Sequence, residues 1–131
     1  LRRIPAKYGT VVDRLKYLLH LYYVHDLAHL KLTAALHAYS WRWSEMRERD
    51  NQRQLSDHHD AVIAILEDAV GAGELHHGNF RAASELIFAA YTYALRKAVF
   101  SGHDADKLIA HLEPLLMVVL QGLGYRDRNG D

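Results

Sequence analysis

The sequence contains no cysteine, so disulfides and thiolate metal sites are excluded. Proline occurs only at positions 5 and 114, and glycine is sparse. Runs of β-branched residues are absent, while alanine and leucine are frequent. That combination predicts an all-α domain. Charge of one sign is also lacking: 16 Lys and Arg balance 16 Asp and Glu. Nucleic-acid-binding domains usually carry a basic excess or stripe. Here only Arg2, Arg3 and Lys7 cluster, beside a mixed run from Arg42 to Arg53, so this part of the protein is not expected to grip phosphate by itself. No run of 18 or more apolar residues occurs, and the opening Leu-Arg-Arg-Ile-Pro is no apolar signal segment. No membrane partner is expected, and the cytoplasm is the expected compartment.

What is present is helical punctuation. The 131 residues are enough for one domain with its own core. Thr10 and Asp13 form a capping-box pattern, followed by Val12, Leu15, Leu19 and Tyr22 or Tyr23 at helical spacing. A break is predicted near His25-Asp26, with Asp26 capping a second helix through Leu27, Leu30, Ala34, His37 and Trp41. Residues 42–53 are nearly all polar and read as a solvated stretch or loop, with Ser56 or Asp57 capping the next helix. That helix carries Val62, Ile63, Leu66, Ala69 and Val70 and ends at Gly71-Ala72-Gly73. Asn79 caps a fourth, alanine-rich helix, 80–99. Asp104 caps a last one, 105–123, interrupted by Pro114, which is expected to kink it. Residues 126–131 read as a frayed tail. The expected architecture is an orthogonal or antiparallel bundle of five to six helices.

The last two helices are apolar on more than one side. Leu86, Ile87, Ala90, Tyr91, Ala94 and Leu95 cover a broad arc, and residues 115–120 are six apolar residues in a row. A helix that is apolar all round must be buried all round. Two solutions exist: a central helix pair in a monomer, or a second copy of the chain across a two-fold axis. The second is the expectation here, with Leu86, Ala90, Ala94, Leu112, Leu116, Val119 and Leu120 at the homodimer interface.

Ten histidines invite a metal reading. His25 and His29 stand at i, i+4 and can reach one ion, with Asp26 or His20 as a third ligand. This gives the alternative of a metal- or haem-sensing helical domain. Against it, the adjacent pairs His58-His59 and His76-His77 point in different directions, and no zinc-protease pattern exists; most histidines are expected at the surface or near caps. No cofactor is expected. Nucleophilic catalysis finds no serine elbow, no Gly-rich phosphate loop and no carboxylate pair. A small helical enzyme is the least favoured alternative, with only His37 as its titrating group.

The aromatic residues point to small-molecule binding. Trp41 and Trp43 lie about 200° apart on a continuing helix and cannot share one neighbour. Thr33, His37, Trp41 and Ser44 share one face; Leu36, Tyr39, Trp43 and Met46 share the next. Phe88 and Tyr91 lie on one side of the alanine-rich helix. An apolar cavity with a few polar groups is the usual form of a ligand site. Thr33, His37, Trp41, Ser44, Phe88 and Tyr91 are therefore the expected ligand-binding residues, with Trp41 on the cavity wall and Trp43 in the core or against the first helix. With no obvious charged anchor, the expected effector is a small apolar or aromatic compound.

The order of these features resembles a known family. Tyr22-Tyr23-Val24-His25-Asp26-Leu27 is followed by Tyr39-Ser40-Trp41-Arg42-Trp43-Ser44, then by Gly71-Ala72-Gly73-Glu74-Leu75, Ala89-Ala90-Tyr91, Leu95-Arg96 and Leu120-Gln121-Gly122-Leu123. This order, from about Val11 to Leu123, is similar to the C-terminal regulatory domain of TetR-type transcriptional regulators. The resemblance implies an effector cavity between helices and homodimerisation through the last two helices, 80–99 and 105–123. It implies a repressor-like sensing function over residues 1–131. DNA would be read by an N-terminal helix-turn-helix module for which nothing before Thr10 has room. The first helix would connect to that module, and its shift on effector binding would alter the spacing of two recognition helices on half-sites about 34 Å apart.

Overall fold

The computed structural model describes residues 9–39 and 44–126, without the side chains of His37 and Tyr39. Five helices account for nearly all of it: α1 (Val11–Ala28), α2 (Leu30–Tyr39), α3 (Glu45–Gly71), α4 (Phe80–Ser101) and α5 (Ala105–Gly122). The fold is an all-α bundle, with no strand among the described residues.

Helix starts follow local chemistry. At α1 the Thr10 hydroxyl accepts from the Asp13 N–H while the Asp13 carboxylate accepts from the Thr10 N–H, a reciprocal capping box. Glu74 arrives from the α3–α4 turn and accepts from the Val11 N–H at 3.0 Å, so a further orphan donor is satisfied across the fold. Asn79 and Asp104 cap α4 and α5 through the N–H groups of Ala82 and Lys107. Gly102 ends α4 in the left-handed conformation, at φ 67°, where an L side chain is strained.

The core sits where α1 crosses α3 and α5, with α4 closing the other side. Val11, Leu15, Leu19 and Tyr23 of α1 are completely buried, as are Val62, Leu66 and Ala69 of α3 and Leu108, Leu112 and Leu120 of α5. Each such leucine contributes about 1.5–3 kcal/mol from burial. Charges then fix the position of α1. The nearly buried Arg14 reaches Asp68 of α3 at 3.1 Å, and Lys16 reaches Glu113 of α5 at 2.8 Å. Near the same end of the bundle as Glu74, the backbone N–H of His76 donates to the Leu123 carbonyl at 2.8 Å. A Cβ on Gly124 would collide with the His76 ring, so the close approach needs glycine there.

Two expectations are corrected. Residues 45–53 are not a loop: α3 starts at Glu45, capped by Ser44 rather than Ser56 or Asp57. Its first turns carry few apolar residues because they face solvent, and same-face pairs support them, including Gln52 to Glu48 and Arg53 to Asp50. Asp26 does not cap α2. It lies inside α1, which runs on to Ala28, and its carboxylate serves a partner on α4. α5 runs through Pro114, which is exposed within the one helix from Ala105 to Gly122.

α2 differs from the other helices. None of its described side chains is buried, and Leu32 is 60% exposed.

Candidate functional site: a groove beside an aromatic-histidine cluster

Two features of the bundle carry polar chemistry among apolar walls, and both use α4. The first is a cluster shared by α1, α3 and α4. Its centre is Phe88, which meets the rings of Tyr22, His58, His59 and Tyr91 at centroid distances of 5.2–6.2 Å. Tyr22 and His58 lie closer together, at 4.4 Å. Beneath them Tyr23 stacks on Tyr91 at 4.0 Å. The Tyr23 hydroxyl donates to the Tyr91 carbonyl at 2.9 Å, and the Tyr91 hydroxyl donates to Asp26 at 2.6 Å. Burial, reinforced by the Asp26 carboxylate, pushes both phenols well above their usual range. They remain protonated donors.

The histidines of this cluster behave oppositely. Burial lowers the pKa of His58 and His59, because the charged form loses water. Asp26 and Asp57 oppose the shift at His58, and its buried Nδ1 has no hydrogen-bond partner among the described residues. His59 is 6% exposed, and its Nδ1 lies 2.7 Å from the Ser84 hydroxyl. A serine hydrogen-bonded to a histidine has the composition of an activated nucleophile. Ser84 is completely buried, however, so no substrate reaches its oxygen in this conformation. The pair satisfies buried polar groups. Most histidines were expected at the surface or near caps; His59 is instead buried and His58 half-buried. The legible signal was phase: His59 stands three and seven residues before Val62 and Leu66, on the buried stripe of α3.

The second feature is a groove of about 390 Å³ between α2 and α4. Leu30, Thr33, Ala34 and Ala38 form one wall, and Thr92, Leu95, Arg96, Val99 and Phe100 form the other. It lies within the size range of small-molecule sites. Its apolar lining is interrupted by two hydroxyls and one guanidinium. Leu95 is one turn beyond Tyr91, so groove and cluster adjoin along α4.

The six expected ligand residues are therefore divided. Thr33 lines the groove. Phe88 and Tyr91 belong to the cluster. Ser44 is exposed and accepts from the Arg47 N–H as the α3 cap. Trp41, together with Trp43, and the side chain of His37 lie outside the described residues. Of the groove's lining only Thr33 was among the expected ligand residues; those missed include Thr92, Arg96, Val99 and Phe100 on α4. Thr92, Arg96 and Val99 recur at helical spacing, but their apolar and polar mixture resembles an ordinary solvated face.

The expected dimer residues also divide. Ala94, Leu112, Leu116 and Leu120 are buried in the chain's own core and cannot offer surface to a second copy. Leu86 is exposed, while Ala90 and Val119 are half-buried. The exposed apolar side of the pair passes instead through Leu86, Tyr93 and Val118, which are 60%, 59% and 68% exposed. Tyr93 meets His111 of α5 at 6.1 Å, and Val118 lies two turns along from His111. The two exposed stripes thus adjoin.

The rings of His25 and His29 lie 5.1 Å apart, but among the described residues no group of three metal-ligating side chains is assembled. Among the described residues no helix is long and apolar enough to cross a membrane. Compared with known proteins, the chain matches no family model, no curated protein and no solved structure.

Proposed function

We propose that this chain is the effector-sensing and homodimerisation domain of a TetR-like transcriptional regulator, with a repressor's logic. A small molecule binds among the helices and alters the position of α1. DNA contact belongs, in this reading, to a helix-turn-helix module preceding α1.

The observation that carries the reading is the adjoining pair of exposed stripes on α4 and α5. Leu86, Tyr93 and Val118 present large apolar surface to water on two helices that also bury their other faces. Contiguous apolar surface of this kind marks an association site. A two-fold axis across it yields a four-helix interface from one patch. The groove between α2 and α4 supplies space for the effector. α1 supplies the coupling element, because it is tied by ion pairs to both α3 and α5. The zero net charge agrees with DNA contact residing elsewhere.

Size-exclusion chromatography with light scattering tests the assembly. The wild type is expected to run as a dimer at micromolar concentration, and Val118→Glu as a monomer of unchanged helicity. A wild-type monomer overturns the dimer. Chromatin immunoprecipitation with the full reading frame tests the regulator. Discrete sites with two-fold symmetry are expected; the absence of enriched sites overturns it.

A further inference from the structure

The groove between α2 and α4 is uneven in charge. Its lining holds six apolar residues, the hydroxyls of Thr33 and Thr92, and one cation, Arg96; it holds no acidic residue. Among the described residues no carboxylate pairs with Arg96. Its guanidinium instead lies 5.2 Å from the ring centroid of Phe100, one turn further along α4. Phe100 is itself 74% exposed, a large ring left in water at the groove's edge. An arginine spread over an exposed ring is a preformed anion seat, because the stacking restrains the fork without occupying its donors. Leu30, Ala34 and Ala38 face Leu95 and Val99 to form an apolar channel leading from that seat.

We propose that the groove takes an anionic amphiphile: a molecule with an aliphatic or aromatic body and a single carboxylate-like head. The body lies between α2 and α4, against Leu30, Ala34, Leu95 and Val99. The head accepts hydrogen bonds from Arg96, and Thr92, one turn before it, is positioned to donate a further one. This sharpens the expectation of an apolar or aromatic effector by adding the charged anchor that the sequence did not disclose. It rests on the reading of the groove as the effector site, and the test separates the two.

Decanoate, decan-1-ol and decyltrimethylammonium share one apolar body and differ in the head. Their affinities are measured by titration calorimetry on the wild type, Arg96→Gln and Thr92→Trp. The carboxylate is expected to bind best and the cation worst. Arg96→Gln is expected to lower decanoate affinity about fivefold, as for a partly solvated charge pair, and to leave decan-1-ol unchanged. Added salt is expected to weaken only the decanoate complex. Thr92→Trp fills the groove and is expected to abolish binding of all three. Arg96 and Thr92 are both exposed, so these variants are expected to fold. Equal affinity for decanoate and decan-1-ol, with Thr92→Trp still blocking both, overturns the anionic head while the groove remains the effector site. Binding unaffected by Thr92→Trp, or no binding of any probe, overturns the groove itself, and with it this proposal.

Discussion

The hydroxyl of Tyr91 donates to the carboxylate of Asp26 across 2.6 Å, joining α4 to the last turns of α1. The contact spans 65 residues of sequence. It lies under the stacked pair of Tyr91 and Tyr23 and secures the end of α1 from which α2 departs.

Removing that hydroxyl is expected to weaken the fold without disturbing its shape. Tyr91→Phe keeps the stack on Tyr23 but leaves a part-buried carboxylate without this donor, a loss of about 1.5–3 kcal/mol. Tyr23→Phe removes a bond to a carbonyl and costs about 1 kcal/mol. Urea denaturation of the two variants measures both values. Equal and negligible losses would show that water replaces the phenol.

Stability is expected to fall on mild acidification. His58 and His59 have folded pKa values below the ordinary 6.5. Just below that value the unfolded chain takes up protons that the folded chain refuses. Folding is therefore favoured above about pH 6.5 and loses that contribution as the pH drops through the window beneath it. His58→Phe removes one of the two groups and is expected to give a shallower decline. Denaturation midpoints between about pH 7.5 and about pH 5.5 provide the comparison. A like decline of both proteins would show that His58 does not carry the effect.

Pro114 offers a stabilising substitution. It is exposed within α5 and lacks an N–H for the helical ladder. Pro114→Ala is expected to raise stability by about 1–3 kcal/mol. A lower melting temperature would mean that the proline shapes the outer face of α5.

The legibility of the fold tracks the range of the interactions. Thr10 with Asp13, Asn79 with Ala82 and Asp104 with Lys107 are bonds across three residues, so the pattern that names them also makes them. The start of α3 was hidden because its first turns are held by Ser44 and by charged pairs, with little apolar period to detect. Asp26 was misread as a cap because its partner, Tyr91, is remote in sequence. The division of α5 into core and exposed sides was equally obscure. Six consecutive apolar residues have no phase of their own, and packing against α1 and α4 selects Leu116 and Leu120 for the interior and leaves Val118 outside. In the groove, Thr33 was legible as part of a helix face. Arg96 was not, because its role depends on which helix stands opposite.

The shallow burial of the described α2 residues has a consequence for how the protein responds in time. An element with no fully buried side chain among its described residues is expected to separate from the bundle at a fraction of the free energy of global unfolding. The amides of residues 30–39 are therefore expected to exchange with solvent through local opening, while those of the buried stretches of α1, α3 and α5 wait for the whole domain. A ligand held between α2 and α4 would have to order this segment, so part of its contact energy would offset that ordering and its apparent affinity would fall by the fraction of closed molecules. Mutations that merely strengthen the helical propensity of α2 would then tune sensitivity from outside the groove, without touching a single lining residue.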